Sequence, residues 1–166
     1  MTPEPTRPNS VLTRAAEDLA QRRLSPALLN HSYRTYAFGA ALGELENLDV
    51  DWELLFAAAL LHDVGPPTTI DGVDFALASA RAAGDVAGEV GLSTAATDTL
   101  RTAITLQHSP VVTSGHGPVA FLLSAGASLD VVGLRSWQVP SELLAAVLSA
   151  HPRAAFRREF AAPFHG

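Results

Sequence analysis

The chain contains no cysteine and no lysine. Without thiols there is no disulfide, no thiolate zinc site and no cysteine nucleophile. Without lysine, Schiff-base catalysis has no residue to work with, and all 11 cationic side chains are arginines. Positive charge is scarce: 17 acidic residues leave a formal net charge of −6. No basic stripe is available to displace the counterions of a polyanion, which argues against a nucleic-acid partner. No apolar run approaches the roughly 20 residues that span a bilayer. Met1 to Ser10 is Pro-rich and polar and lacks the apolar centre of a signal peptide. It is expected as a disordered tail, residues 1–10, on a cytoplasmic protein.

What is present is a chain of 166 residues, 48% hydrophobic, enough for one domain with a substantial core. Ala, Leu and Val dominate, no stretch alternates over many residues, and the apolar spacing is helical throughout. The pattern predicts helices over Val11–Arg23 and from Ser25-Pro26 to about Leu45, the second opening on an N-cap followed by proline. A third spans Trp52–Asp63 and stops before Gly65-Pro66-Pro67. A fourth runs from Val73 to about Ala83, with a weaker, glycine-interrupted piece over Gly84–Val90. Further helices cover Ser93–His108, Pro118–Val131 and Ser141–Ser149, with Val111–Gly117 as a loop able to act as a lid. The expected fold is all-α, one compact bundle of about six to seven helices.

Within that pattern the pair His62-Asp63 stands out. The apolar run Leu54–Leu61 ends abruptly in two metal-competent side chains, and burying them without a partner is costly. A divalent cation satisfies both. His31 shares a helix face with Leu28, Thr35, Phe38 and Leu42, so it too points inward. His108 follows Leu100 and Ile104 on a buried face, and Asp130 lies on the stripe Leu123, Gly126, Ala127. Taken singly, an inward histidine is more often a hydrogen-bonded core residue than a ligand. Taken together, these positions converge on one helical core.

The order His31, His62-Asp63, Asp130 on successive helices resembles the HD-domain superfamily, across roughly residues 25–160. Four blocks carry the resemblance: Asn30-His31-Ser32-Tyr33-Arg34-Thr35-Tyr36, Leu61-His62-Asp63-Val64-Gly65, Leu106-Gln107-His108, and Gly126-Ala127-Ser128-Leu129-Asp130-Val131-Val132-Gly133. They are similar in particular to the cyanamide hydratase-like branch. The resemblance implies one HD domain over residues 11–166, holding one divalent metal through His31, His62, Asp63 and Asp130. It places His108 at the site as an acid–base group, with Asp63 as an alternative base. Two His and two carboxylates suit zinc, the expected ion, and also Fe(II) or Mn(II). A second metal through His108 or His116 is less expected, because too few histidines lie between Asp63 and Asp130.

The implied reaction is addition of metal-activated water to a small nitrile-type substrate. Arg34, one turn after His31, is expected either to orient the substrate or to pair with an acidic neighbour. Tyr33 and Tyr36 are expected to pack, His116 to be a solvated loop histidine, and His151 to have no chemical role. Phe38, Phe56, Phe121, Trp137 and the loop Pro66–Asp74 are expected to shape the pocket. The rival enzyme is an HD-type phosphohydrolase, weakened because only Arg34 and Arg135 are placed to clamp phosphate oxygens. The non-enzymatic alternative is a helical module that binds a metal or small molecule. The expected partner is a small-molecule substrate, with no membrane partner. Small helical domains often self-associate, so a homo-oligomer fits.

Overall fold

The computed structural model describes residues 4–65, 72–109 and 111–153, apart from the side chains of 72–74 and 108. Among the described residues there are seven α-helices and no strand. They are α1 (Val11–Arg23), α2 (Pro26–Leu45), α3 (Trp52–Leu61), α4 (Gly72–Glu89), α5 (Thr94–Thr105), α6 (Pro118–Val132) and α7 (Ser141–Ala150). None of them is long and apolar enough to cross a membrane.

Local chemistry starts most of them. The hydroxyls of Ser10, Ser25 and Ser93 and the carboxylate of Asp51 each accept a hydrogen bond from an amide in the first turn. Proline occupies the first helical position of α2 and α6, where its missing N–H costs nothing.

The third helix is apolar on every side, and Leu54 to Leu61 are all buried. A helix without a polar face belongs in the middle of a domain. Accordingly α3 packs against α1, α2, α5, α6 and α4. Each fully buried leucine, such as Leu55 or Leu60, contributes roughly 1.5–3 kcal/mol. This helix delivers His62 and Asp63 into the interior as its last turn unwinds.

The most extensive helix pair is α2 with α6. It depends on small residues. A Cβ on Gly126 would lie 2.2 Å from the Thr35 carbonyl oxygen, and one on Gly39 would lie 2.8 Å from that of Leu122. Only glycine lets these backbones meet, and that approach brings His31 of α2 against Asp130 of α6.

One expectation changes. The piece over Gly84–Val90 continues α4 rather than breaking it. Ala76, Ala80, Ala83 and Ala87 form one buried face, and that packing outweighs the roughly 1 kcal/mol penalty of each interior glycine. Residues 4–9 have no regular structure, and Glu4, Thr6 and Arg7 touch the helices. Tyr36 donates to the Thr6 carbonyl at 2.8 Å, the Arg7 guanidinium covers the Tyr33 ring, and Glu4 bonds the His151 ring at 2.8 Å. The segment Ser93–His108 is α5 followed by a 3-10 turn, Leu106–His108. The loop from Val111 contains a second such turn, Ser114–His116.

Candidate metal centre

Three donor atoms converge where α3 ends. His31 Nε2 and His62 Nε2 are 3.2 Å apart, His62 Nε2 and Asp63 Oδ2 3.2 Å, and His31 Nε2 and Asp63 Oδ2 3.6 Å. All three residues are buried. Around a tetrahedral zinc with ligands at 2.0–2.1 Å, neighbouring donors are separated by about 3.3 Å. The triangle therefore has the edge lengths of one face of such a polyhedron.

The far side of each ring fixes its protonation. His62 Nδ1 lies 2.7 Å from the Ala59 carbonyl, which can only accept, so this nitrogen carries a proton. His31 Nδ1 lies 2.7 Å from Asp130 Oδ2 and donates to that carboxylate. In the neutral rings both Nε2 atoms consequently present lone pairs to one another and to Asp63. Three acceptors facing one point require a cation between them. Ring N–H groups held by a carbonyl and a carboxylate are the usual arrangement behind metal-bound histidines. The residues fit a divalent ion.

The electrostatics agree. Burial, the strongest influence, pushes His31 below its ordinary value of 6.5, against the hydrogen bond to Asp130 and the charge of Asp63. Burial also opposes protonation of His62, but the charge and hydrogen bond of Asp63 and the Ala59 carbonyl outweigh it and raise the group. Without metal, a proton on His62 supplies the positive charge the triangle demands.

Asp130 stands behind the triangle rather than in it. One carboxylate oxygen accepts from His31, and the other accepts from Arg34 Nε at 2.8 Å and Arg153 Nη2 at 3.1 Å. Burial works against its ionisation, yet the His31 and Arg34 hydrogen bonds and charges hold it below the ordinary carboxylate value. The residue expected as a fourth donor thus meets His31 at its opposite nitrogen.

Arg34 is fully buried. Besides Asp130 it donates through Nη1 to the carbonyls of His151 at 2.8 Å and Pro152 at 3.1 Å. Of its two expected roles, the structure places it in the acidic pairing, away from the pocket. Arg135 is engaged by Glu46 and Gln138.

A pocket of about 190 Å³ opens on the triangle. Besides His31, His62 and Asp63 it is lined by Gln107, Ala127, Ser128, Val131 and Val132. Among the described residues no arginine faces it. Phe38 and Phe56 are core residues, and Trp137 is 73% exposed on another surface. His116 is exposed and accepts from the Thr113 amide at 3.0 Å, away from this pocket. The His108 backbone closes the 3-10 turn beside Gln107, but its side chain lies outside the described residues, as does the loop 66–71.

Helical spacing assigns no role to Gln107, Arg153 or the backbone of His151. Gln107 Nε2 donates to the His62 carbonyl at 2.7 Å and so pins the turn that carries the donors. Its position beside His108 was the available signal. Gly65 secures the same turn from its other end. Its amide donates to Ser79 Oγ at 2.8 Å, and a Cβ there would lie 2.8 Å from the Phe75 carbonyl oxygen.

The chain is also similar to known proteins. Two relatives from Saccharomyces cerevisiae (strain ATCC 204508 / S288c), Cyanamide hydratase DDI2 and Cyanamide hydratase DDI3, are each 34% identical to the chain over 59 residues. The match takes in 34% of this chain and 26% of each relative, so the chain spans about a quarter of their length. The family model for the HD domain matches residues 28–129, more than half of the chain, and includes His31, His62 and Asp63. The chain belongs to the HD domain family.

Proposed function

We propose that this chain hydrates a small, neutral nitrile-type substrate at a single divalent metal, zinc being the expected ion. The observation that carries the reading is the donor triangle of His31, His62 and Asp63 facing a pocket of about 190 Å³ with no described cationic wall. The names of the two yeast relatives support the nitrile. When bound, the cation supplies the Lewis acidity that brings the pKa of water towards neutrality.

The chain's own residues do the rest. His31 and His62 hold neutral donor nitrogens in place, with their other protons committed to Asp130 and Ala59. Ala127, Val131 and Val132 give the pocket an apolar side. In the reaction the water oxygen bonds to the nitrile carbon as one carbon–nitrogen π bond breaks and nitrogen takes one proton. The hydroxyl proton of this imidic acid then moves to nitrogen, and the second carbon–nitrogen π bond gives way to C=O. Both water protons end on nitrogen, giving an amide, or urea from cyanamide. We assign the proton transfer to His108, with Asp63 as the alternative base. Undiminished turnover by His108→Ala would remove the histidine from that role.

A phosphohydrolase is less well supported, because anionic oxygens need cationic partners and Arg34 and Arg135 are both engaged elsewhere. The deciding experiment measures metal content and then turnover of cyanamide, simple nitriles and phosphate monoesters. Hydrolysis of the phosphates alone rejects the proposal. Stoichiometric metal with no turnover of any of them favours a non-catalytic binding module.

A further inference from the structure

Two polar residues in the pocket wall take no part in the donor triangle. Gln107 spends its amide nitrogen on the His62 carbonyl at 2.7 Å, and because a carbonyl only accepts, this bond fixes which end of the amide is which. Its Oε1 is left as an acceptor, with no hydrogen bond among the described residues. Ser128, half-buried on α6, lines the same pocket, and its hydroxyl also lacks a hydrogen bond among the described residues. Around them the non-donor wall is Ala127, Val131 and Val132.

Two hydrogen-bonding oxygens set in an apolar wall discriminate sharply. Gln107 Oε1 can only accept, and the Ser128 hydroxyl can accept as well as donate, so a ligand with N–H donors satisfies both. One with methyl groups leaves the Gln107 oxygen stripped of water with nothing in return. We infer that Gln107 and Ser128 are specificity-determining residues that select small neutral molecules bearing N–H groups, amino-nitriles and ureas, over their methyl counterparts. This deepens the hydratase reading and rests on it for the reaction, but the selection is a property of binding and is measurable without turnover.

The test uses the cobalt(II)-substituted protein, whose visible spectrum responds to a ligand entering the site. Urea and acetone serve as probes, since they share a planar carbonyl and differ by amino against methyl groups. Wild type is expected to bind urea about 10-fold more tightly than acetone. Ser128→Ala and Gln107→Met should each shrink that ratio about 3- to 10-fold, the worth of one hydrogen bond. Cobalt stoichiometry should stay the same in Ser128→Ala. Gln107→Met also removes the bond to the His62 carbonyl, so its ratio counts only where its cobalt content matches wild type. Should Gln107→Met lose its cobalt, Ser128→Ala decides the matter alone.

No preference for urea in wild type, or an undiminished preference in the variants, overturns the inference. The companion assay compares cyanamide with acetonitrile as substrates. If cyanamide is not hydrated but the variants still lose their preference for urea, the hydratase reading fails and the selection stands. If cyanamide is hydrated and the variants keep the wild-type discrimination against acetonitrile, the selection fails and the hydratase reading stands.

Discussion

His31 and His62 meet through their Nε2 atoms at 3.2 Å while each commits its Nδ1 proton behind it, to Asp130 and to the Ala59 carbonyl. Two imidazoles so arranged repel unless a cation joins them. The metal-free protein is therefore poised for metal rather than indifferent to it.

Metal should stabilise the fold. At a free concentration 100 times the dissociation constant, a divalent ion is expected to add about 2.7 kcal/mol to the unfolding free energy. A chelator should accordingly lower the Tm of purified protein, and zinc should restore it. His62→Ala is expected to abolish this response, because it removes one corner of the triangle. A Tm unaffected by chelation in protein known to carry metal would contradict the assignment.

Asp130→Asn separates orientation from ligation. The amide that replaces the carboxylate can turn its NH₂ towards His31 Nδ1, favouring the tautomer whose proton sits on Nε2 and blocks metal. Loss of such an outer partner typically costs 10–100-fold in metal affinity, and that range is expected here. X-ray absorption of the zinc protein should show no change in the number of protein donors between wild type and variant. A donor lost on substitution would make Asp130 a direct ligand.

Metal uptake should release protons. The charge and hydrogen bond of Asp63 raise His62 above its ordinary value, favouring an extra proton on the ring when no metal is bound. The sign follows for folding: His62 stabilises the metal-free fold below pH 6.5, and that contribution is lost as pH rises through its folded value. Metal must displace this proton, so apparent affinity falls as pH falls. Calorimetry in two buffers of different ionisation enthalpy reads the release directly. Binding at pH 6.5 with no proton released would contradict the raised value.

Gly126→Ala should damage the site from a distance. The new methyl would sit 2.2 Å from the Thr35 carbonyl oxygen, and backbone cannot rotate away as a side chain can. We expect a loss of about 3 kcal/mol in stability by urea unfolding, together with weaker zinc binding. Separating α2 from α6 pulls Asp130 off His31. Unchanged metal affinity in a destabilised variant would show the two to be independent.

Much of this was legible in the residues. Ser10, Ser25-Pro26 and Asp51 announced helix starts, and the all-apolar run before His62 announced a central helix ending at chemistry. Helical periodicity also put His31 and Asp130 on inward faces. It could not say which nitrogen of His31 Asp130 would meet, because that depends on how far apart α2 and α6 stand. Nor could it foresee that Arg34 would turn from the pocket to the carbonyls of His151 and Pro152, more than 100 positions away in the chain. Periodicity reports faces, whereas donor geometry is set by interhelical distance and by distant backbone.

The clamp behind His31 has a consequence for how the protein is made. His31, His62 and Asp63 leave the ribosome early, and chains fold from the N-terminal side as they emerge. The carbonyls of His151 and Pro152 that hold Arg34, and the Arg153 that holds Asp130, are among the last described residues to be synthesised. A nascent chain thus has its three donors long before it has the brace that aligns them. The clamp on Asp130 and Arg34 is completed only with residues 151–153.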